Sequence, residues 1–226
     1  MSLVKLIAQA DERGLAASGL ACLDRCLPLL SAEETDVLRP LWTGVVDGEQ
    51  DWRARLVESR EALDELSVGD PVDGGAGTAD AGPAATADPG SADVGLMAVL
   101  VRTMLGSAPS DWAAEPLRTW ADTCSVMSLE LHQRLDAVGD GGSAGAAERL
   151  ARCREDTVVV ADAEDGAAGT DGIGPLVAGE LRRQVKVLEI LAETAGAPGV
   201  RRAMDVSTEG QRVLRAVVSR RARARS

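Results

Sequence analysis

The stretch Leu181 to Ala195, LRRQVKVLEILAETA, decides the fold class. Leu181, Val185, Leu188, Ala192 and Ala195 recur at alternating steps of four and three, which places five apolar side chains in one seam of an α-helix. Arg182, Arg183, Lys186, Glu189 and Glu193 fall mostly off that seam. Gly196-Ala197-Pro198-Gly199 reads as the stop, with a glycine suited to a left-handed C-cap and a proline shortly after it. A second helix is expected from about Val206 into an arginine-rich tail, so Gly174 to Ser226 reads as a C-terminal helical pair.

The same periodicity recurs upstream. Leu3 to Arg13 reads as a short helix closed by Gly14, and Leu15 to Leu27 as a second, with Leu20, Leu23, Leu27 and Leu30 on one stripe. Ser31-Ala32-Glu33-Glu34 fits a capping box. A third helix follows through Val37, Leu38, Leu41 and Val45, in which Pro40 either kinks the chain or opens a new segment. Glu49 to Leu66 is a fourth, with Trp52, Leu56, Leu63 and Leu66 facing inward.

Residues 67–93 are Gly, Ala, Asp, Pro and Thr in the main, with five aspartates and no base. Such a segment cannot bury enough apolar surface to offset its ordering entropy, so a disordered linker is expected there. Helix resumes at Val94 to Leu105 and again over Asp111 to Val138, where Pro116 suits a first turn and divides the segment in two. Residues 139–145 read as a glycine linker, Ala146 to Asp156 as helix, Thr157 to Ala161 as its continuation, and 162–173 as an acidic loop.

Three short similarities keep their order at a nearly constant offset: Gly19 to Arg25 with Gly95 to Arg102, Pro40-Leu41-Trp42 with Pro116 to Trp120, and Ala62-Leu63-Asp64 with Arg134-Leu135-Asp136. The expected fold is therefore all-α, a helical bundle or short helical-repeat array. It would hold an N-terminal unit over 1–66 and a C-terminal unit over 94–226, built as two related three-helix units plus the C-terminal pair. Chance matching among Ala-, Leu- and Arg-rich helices is the plainer explanation of the similarities.

Composition narrows the chemistry. The formal net charge is −12, yet residues 201–226 hold eight arginines against Asp205 and Glu209, so the first two hundred residues carry −18. An acidic body repels phosphate backbones and anionic membranes, which leaves the tail as the only part suited to such partners. Tyr, Phe and Asn are absent and Lys5 and Lys186 are the only lysines, a bias that points to a high-GC bacterial gene. Four tryptophans are the only aromatic mass. No signal peptide is visible, and the longest apolar run, Val94 to Val101, is far short of the ~20 residues of a membrane span. A cytoplasmic protein with reduced thiols is expected.

No motif survives as a site. Cys22 and Cys26 share a helix face, and with Cys124, Cys153 and His132 they supply zinc-ligand types. A helical Cys-x-x-x-Cys lacks the turn of a zinc ribbon, so core packing is the better reading and no metal is expected. Gly141 to Gly145 spells G-x-S-x-G, but the only histidine, His132, lies upstream. Ser2 to Lys5 spells S-x-x-K without its companion motifs. No P-loop or dinucleotide fingerprint is present, so no catalytic residue and no cofactor is assigned.

The tail is the remaining candidate. Arg212, Arg215, Arg220, Arg221, Arg223 and Arg225 line a helix whose other side carries Val213, Leu214, Val217 and Val218, a pattern suited to an anionic partner. Arginines also complement a helix C-terminus through its dipole. The expected role is a non-enzymatic adaptor or regulator acting through another protein or self-association. The alternative is a nucleic-acid-associated regulator that binds through the arginine tail.

Overall fold

The computed structural model describes residues 2–31, 35–68, 89–136, 145–157 and 173–225. Nine α-helices and no strand occur among them: α1 Leu3–Gln9, α2 Glu12–Cys26, α3 Arg39–Asp47, α4 Trp52–Val68, α5 Pro89–Gly106, α6 Ala114–Asp136, α7 Ala146–Glu155, α8 Pro175–Glu193 and α9 Gly196–Arg225. A 3-10 turn, Leu27–Leu29, extends α2. The all-α bundle is thus established, and no helix among the described residues is long and apolar enough to cross a membrane.

The helix starts follow their caps. Asp11 is not the tail of the first helix. Its carboxylate accepts the Gly14 amide at 2.7 Å and opens α2, so Gly14 lies inside a first turn and does not end a helix. Pro40 opens α3, and Pro116 sits in the first turn of α6, which is one helix. Pro89 opens α5, so that helix begins inside the segment read as linker. The chain leaves α7 at Asp156, whose backbone is extended, so helix does not continue into Thr157. The capping-box residues 32–34, the linker residues 69–88, the glycine linker and serine motif at 139–144, and 158–172 lie outside the described residues.

The C-terminal pair differs most from expectation. The break falls at Thr194, where the backbone is extended, and α9 takes in Ala197-Pro198-Gly199 as its first turn. A proline in a first turn gives up no helical hydrogen bond, so the tetrapeptide starts a helix as readily as it ends one. The α8 seam is also rotated. Val177, Leu181, Val187, Leu188 and Ile190 are buried, whereas Ala192 and Ala195 are exposed.

Helix α2 is the central element. Gly14 to Leu23 are all buried, which suits its small residues Ala16, Ala17, Ser18, Gly19, Ala21 and Cys22. Gly19 meets the Trp120 ring and Cys26 meets Ser128, so α2 and α6 run in the same direction. Glu180 reaches Ser128 and Gln184 reaches Ser125, so α8 runs against them. Helix α9 returns along α8 and α2 and also touches α3. Leu15, Leu41 and Leu56 from one side of the acidic segment share a buried apolar cluster with Leu117, Leu188 and Leu214 from the other. The sequence similarities do not map onto equal elements: Pro40 and Leu63 lie in two helices, Pro116 and Leu135 in one.

Two edges are tied by cross-helix hydrogen bonds. The indole of Trp52 donates to the Pro109 carbonyl at 2.8 Å, and Arg60 donates to the carbonyls of Gly106 and Ala108, each at 2.8 Å, at the C-terminal end of α5. At the other end, Asp136, the last residue of α6, accepts the Leu176 and Val177 amides at 3.0 Å and so caps α8. Gly174 permits this, since a Cβ there would lie 2.2 Å from the Asp136 carboxyl carbon. Asp136→Ala is expected to lower stability by about 1–2 kcal/mol, read as a shift in urea midpoint at constant m-value.

Candidate functional site

The strongest concentration of polar chemistry lies at the centre of the bundle. Arg25 from α2 and Glu180 from α8 are both 0 % exposed and form a two-pronged ion pair, Nε to Oε2 at 2.7 Å and Nη2 to Oε1 at 2.6 Å. Ser128 Oγ donates to Glu180 Oε1 at 2.8 Å, and Gln184 Nε2 donates to the same oxygen at 2.9 Å. Ser125 Oγ in turn donates to Gln184 Oε1 at 2.6 Å. His132 Nδ1 lies 2.7 Å from the Ser128 carbonyl, and its Nε2 lies 3.8 Å from Glu180 Oε2.

Charge and burial act in opposition here. Burial works to raise the Glu180 carboxyl, but Arg25 outweighs it, with help from His132 and the hydrogen bonds of Arg25 and Gln184, and holds it well below the usual range. Burial alone would lower Arg25, and Glu180 reverses that. Both groups are therefore charged across the neutral range. The stem of Arg25 packs under α9, where a Cβ on Gly210 would lie 2.3 Å from Arg25 Cδ. Arg25 Nη1 is buried with no hydrogen-bond partner among the described residues.

Next to this cluster, Gln211 from α9 donates to the carbonyl of Asp24 at 2.9 Å and to its carboxylate at 2.8 Å. Burial pushes the Asp24 carboxyl up to about 6, against the opposing pull of Arg25, Trp42 and Gln211. A second acid–base contact, Arg154 with Asp122, joins α7 to α6.

The cysteines do not meet as ligands. Cys22, Cys26 and Cys124 are buried and Cys153 is half-buried, all as free thiols. Burial, partly opposed by Arg25, pushes Cys22 up to about 12, and burial drives Cys26 and Cys124 well up too. No group of three or more His, Cys, Asp or Glu side chains is placed to hold a metal among the described residues. With a thiol-specific disulfide reagent, one cysteine, Cys153, is expected to react in the native state. The other three should follow only on unfolding, and fast reaction of two or more native thiols would contradict this burial.

The tail arginines are divided. Arg212, Arg220 and Arg223 are exposed, and Arg215 and Arg221 are half-buried. Arg221 donates to the Leu135 carbonyl near the end of α6, which makes it an anchor of α9 on the bundle. The side chain of Arg225 lies outside the described residues. The six arginines therefore do not form one face.

Sequence periodicity missed the central cluster. Gln184 stands three residues after Leu181 and four before Leu188, which is a core position, and Glu180 is one turn before it. A seam drawn only through apolar residues passes them by. Arg25 carries no comparable signal, because only its partner on α8 explains its burial. Comparison with protein-family models, with curated proteins and with solved structures returned no match.

Proposed function

We propose that this protein acts by contacting another protein through its helical surface, and that its central polar cluster is structural. One observation carries the reading: Arg25, Glu180 and His132, the side chains best suited to chemistry, are at most 3 % exposed inside the packed bundle. A buried, two-pronged ion pair fixes which helices meet and in what register. Partner contact then falls to outer faces such as those carrying exposed Val57, Leu96 and Val99. Affinity capture with the full chain tests this. A specific protein enriched in near-stoichiometric amount is the expected result, and no enrichment above an unrelated helical protein would sink the reading.

The second reading is nucleic-acid binding through α9. Its support is that Arg212 and Arg220 are exposed and have no acidic partner among the described residues. On this reading affinity for duplex DNA falls steeply as salt rises and drops when both are changed to glutamine. Salt-independent or unaltered binding would remove it.

A further inference from the structure

We propose that the protein self-associates, with the arginine face of α9 in one copy lying along the acidic face of α4 in another. This rests on the reading of the chain as an interaction protein and names the partner as a second copy. Asp51, Glu58, Glu61 and Glu65 follow one another at steps of seven, three and four, which places them on one face of α4 and the turn before it. All four are exposed. The bases on this helix are engaged elsewhere: Arg53 with Asp111 and Arg55 with Asp47, each at 2.8 Å, and Arg60 with the carbonyls at the end of α5. The four carboxylates therefore have no basic partner among the described residues. Where α4 meets α3, an open groove is lined by Asp36, Asp51 and Glu58 together with Arg39 and Arg55, so the acidic row extends outward from a mixed, already paired edge.

The complementary face lies on the same chain. Arg212 and Arg220 are eight residues apart on one side of α9, and both are exposed. They span ~12 Å of helix at 1.5 Å per residue, which falls within the ~21 Å of the acidic row. Exposed Ala216 on α9 and Ala54 on α4 lie within these rows, so small side chains let the helices approach. Within one copy α9 packs on α8, α2 and α3, which leaves its arginine face outward. The two patches differ, so the contact is heterologous and closes as a reciprocal pair or grows as a chain.

Charge reversal in the full chain tests this by sedimentation velocity. The wild type should move from monomer to larger species as concentration rises, and raised salt should reverse this. Glu58→Arg with Glu61→Arg, or Arg212→Glu with Arg220→Glu, should each weaken self-association by about tenfold or more. Mixing the two variants should restore a complex, which also shows that both are folded. A wild type that stays monomeric throughout, association indifferent to either reversal, or two folded variants that fail to combine would overturn the inference. A monomeric wild type that binds duplex DNA through Arg212 and Arg220 would overturn it in favour of nucleic acid. A monomer that still captures a different protein would leave the broader interaction reading standing.

Discussion

Replacing Glu180 by leucine is expected to destabilise the protein by about 3–5 kcal/mol, the usual cost of stranding one member of a buried ion pair. The substitution leaves Arg25, 0 % exposed, without its counter-charge, and its Nη1 already has no hydrogen-bond partner among the described residues. Ser128 and Gln184 each lose an acceptor as well. Arg25→Met combined with Glu180→Leu should recover most of the loss, since desolvating both charges offsets much of their attraction. Urea unfolding of the two single variants and the double variant gives the comparison, and a double variant no better than the worse single would contradict it.

The acid limb follows from the same pair. Glu180 is depressed from 4.5 to about 2, so its contribution is complete above pH 4.5 and is lost as pH falls toward 2. Asp24 has the opposite sign. Its carboxyl is raised from 3.8 to about 6, so the native state gains stability as pH falls through 6. Stability should therefore not decline between pH 7 and 5, and should fall steeply below 4.5. A loss beginning at pH 6 would show that Asp24 does not take up its proton in the folded state.

The second large effect is expected at Trp52. Trp52→Ala should cost about 3–5 kcal/mol, in the range for deleting a large buried aromatic. Trp52 is 1 % exposed and meets Trp112 and Trp120 edge-on, at centroid distances of 5.2 and 6.3 Å. It is thus the hinge of the aromatic cluster between α4 and α6 in a chain that has no Phe or Tyr. Trp52→Phe keeps a ring but loses the bond to Pro109, so its cost should be distinctly smaller. Equal losses for the two variants would mean that the hydrogen bond, not the ring, holds the edge.

The sequence was legible where local rules decide. Trp52, Leu56 and Leu63 face inward as their spacing implies, and Pro40 and Pro116 sit in first turns. It misled where one residue type serves two ends of a helix. Pro198 and Gly199 suit a stop and a start alike, and only the placement of Val200 and Ala203 in the core selects the start. The central cluster was illegible for a different reason. Arg25, Ser128 and Glu180 come from three helices more than fifty residues apart, and no local pattern encodes a pairing that exists only after those helices have packed. Spacing alone groups the tail arginines as one set, but the rotation of α9 on the bundle sends Arg221 to the α6 carbonyl and leaves Arg212 and Arg220 outward.

The most direct test separates the structural role of the central pair from the function of the surface. Partner capture should be measured with Arg25→Met/Glu180→Leu after its fold has been checked by near-ultraviolet circular dichroism. A double variant that is folded and captures the same protein as the wild type, within about twofold, is the result expected if the bundle centre only holds the helices together. A double variant that is equally well folded but captures nothing would contradict this and place the function at Arg25 and Glu180.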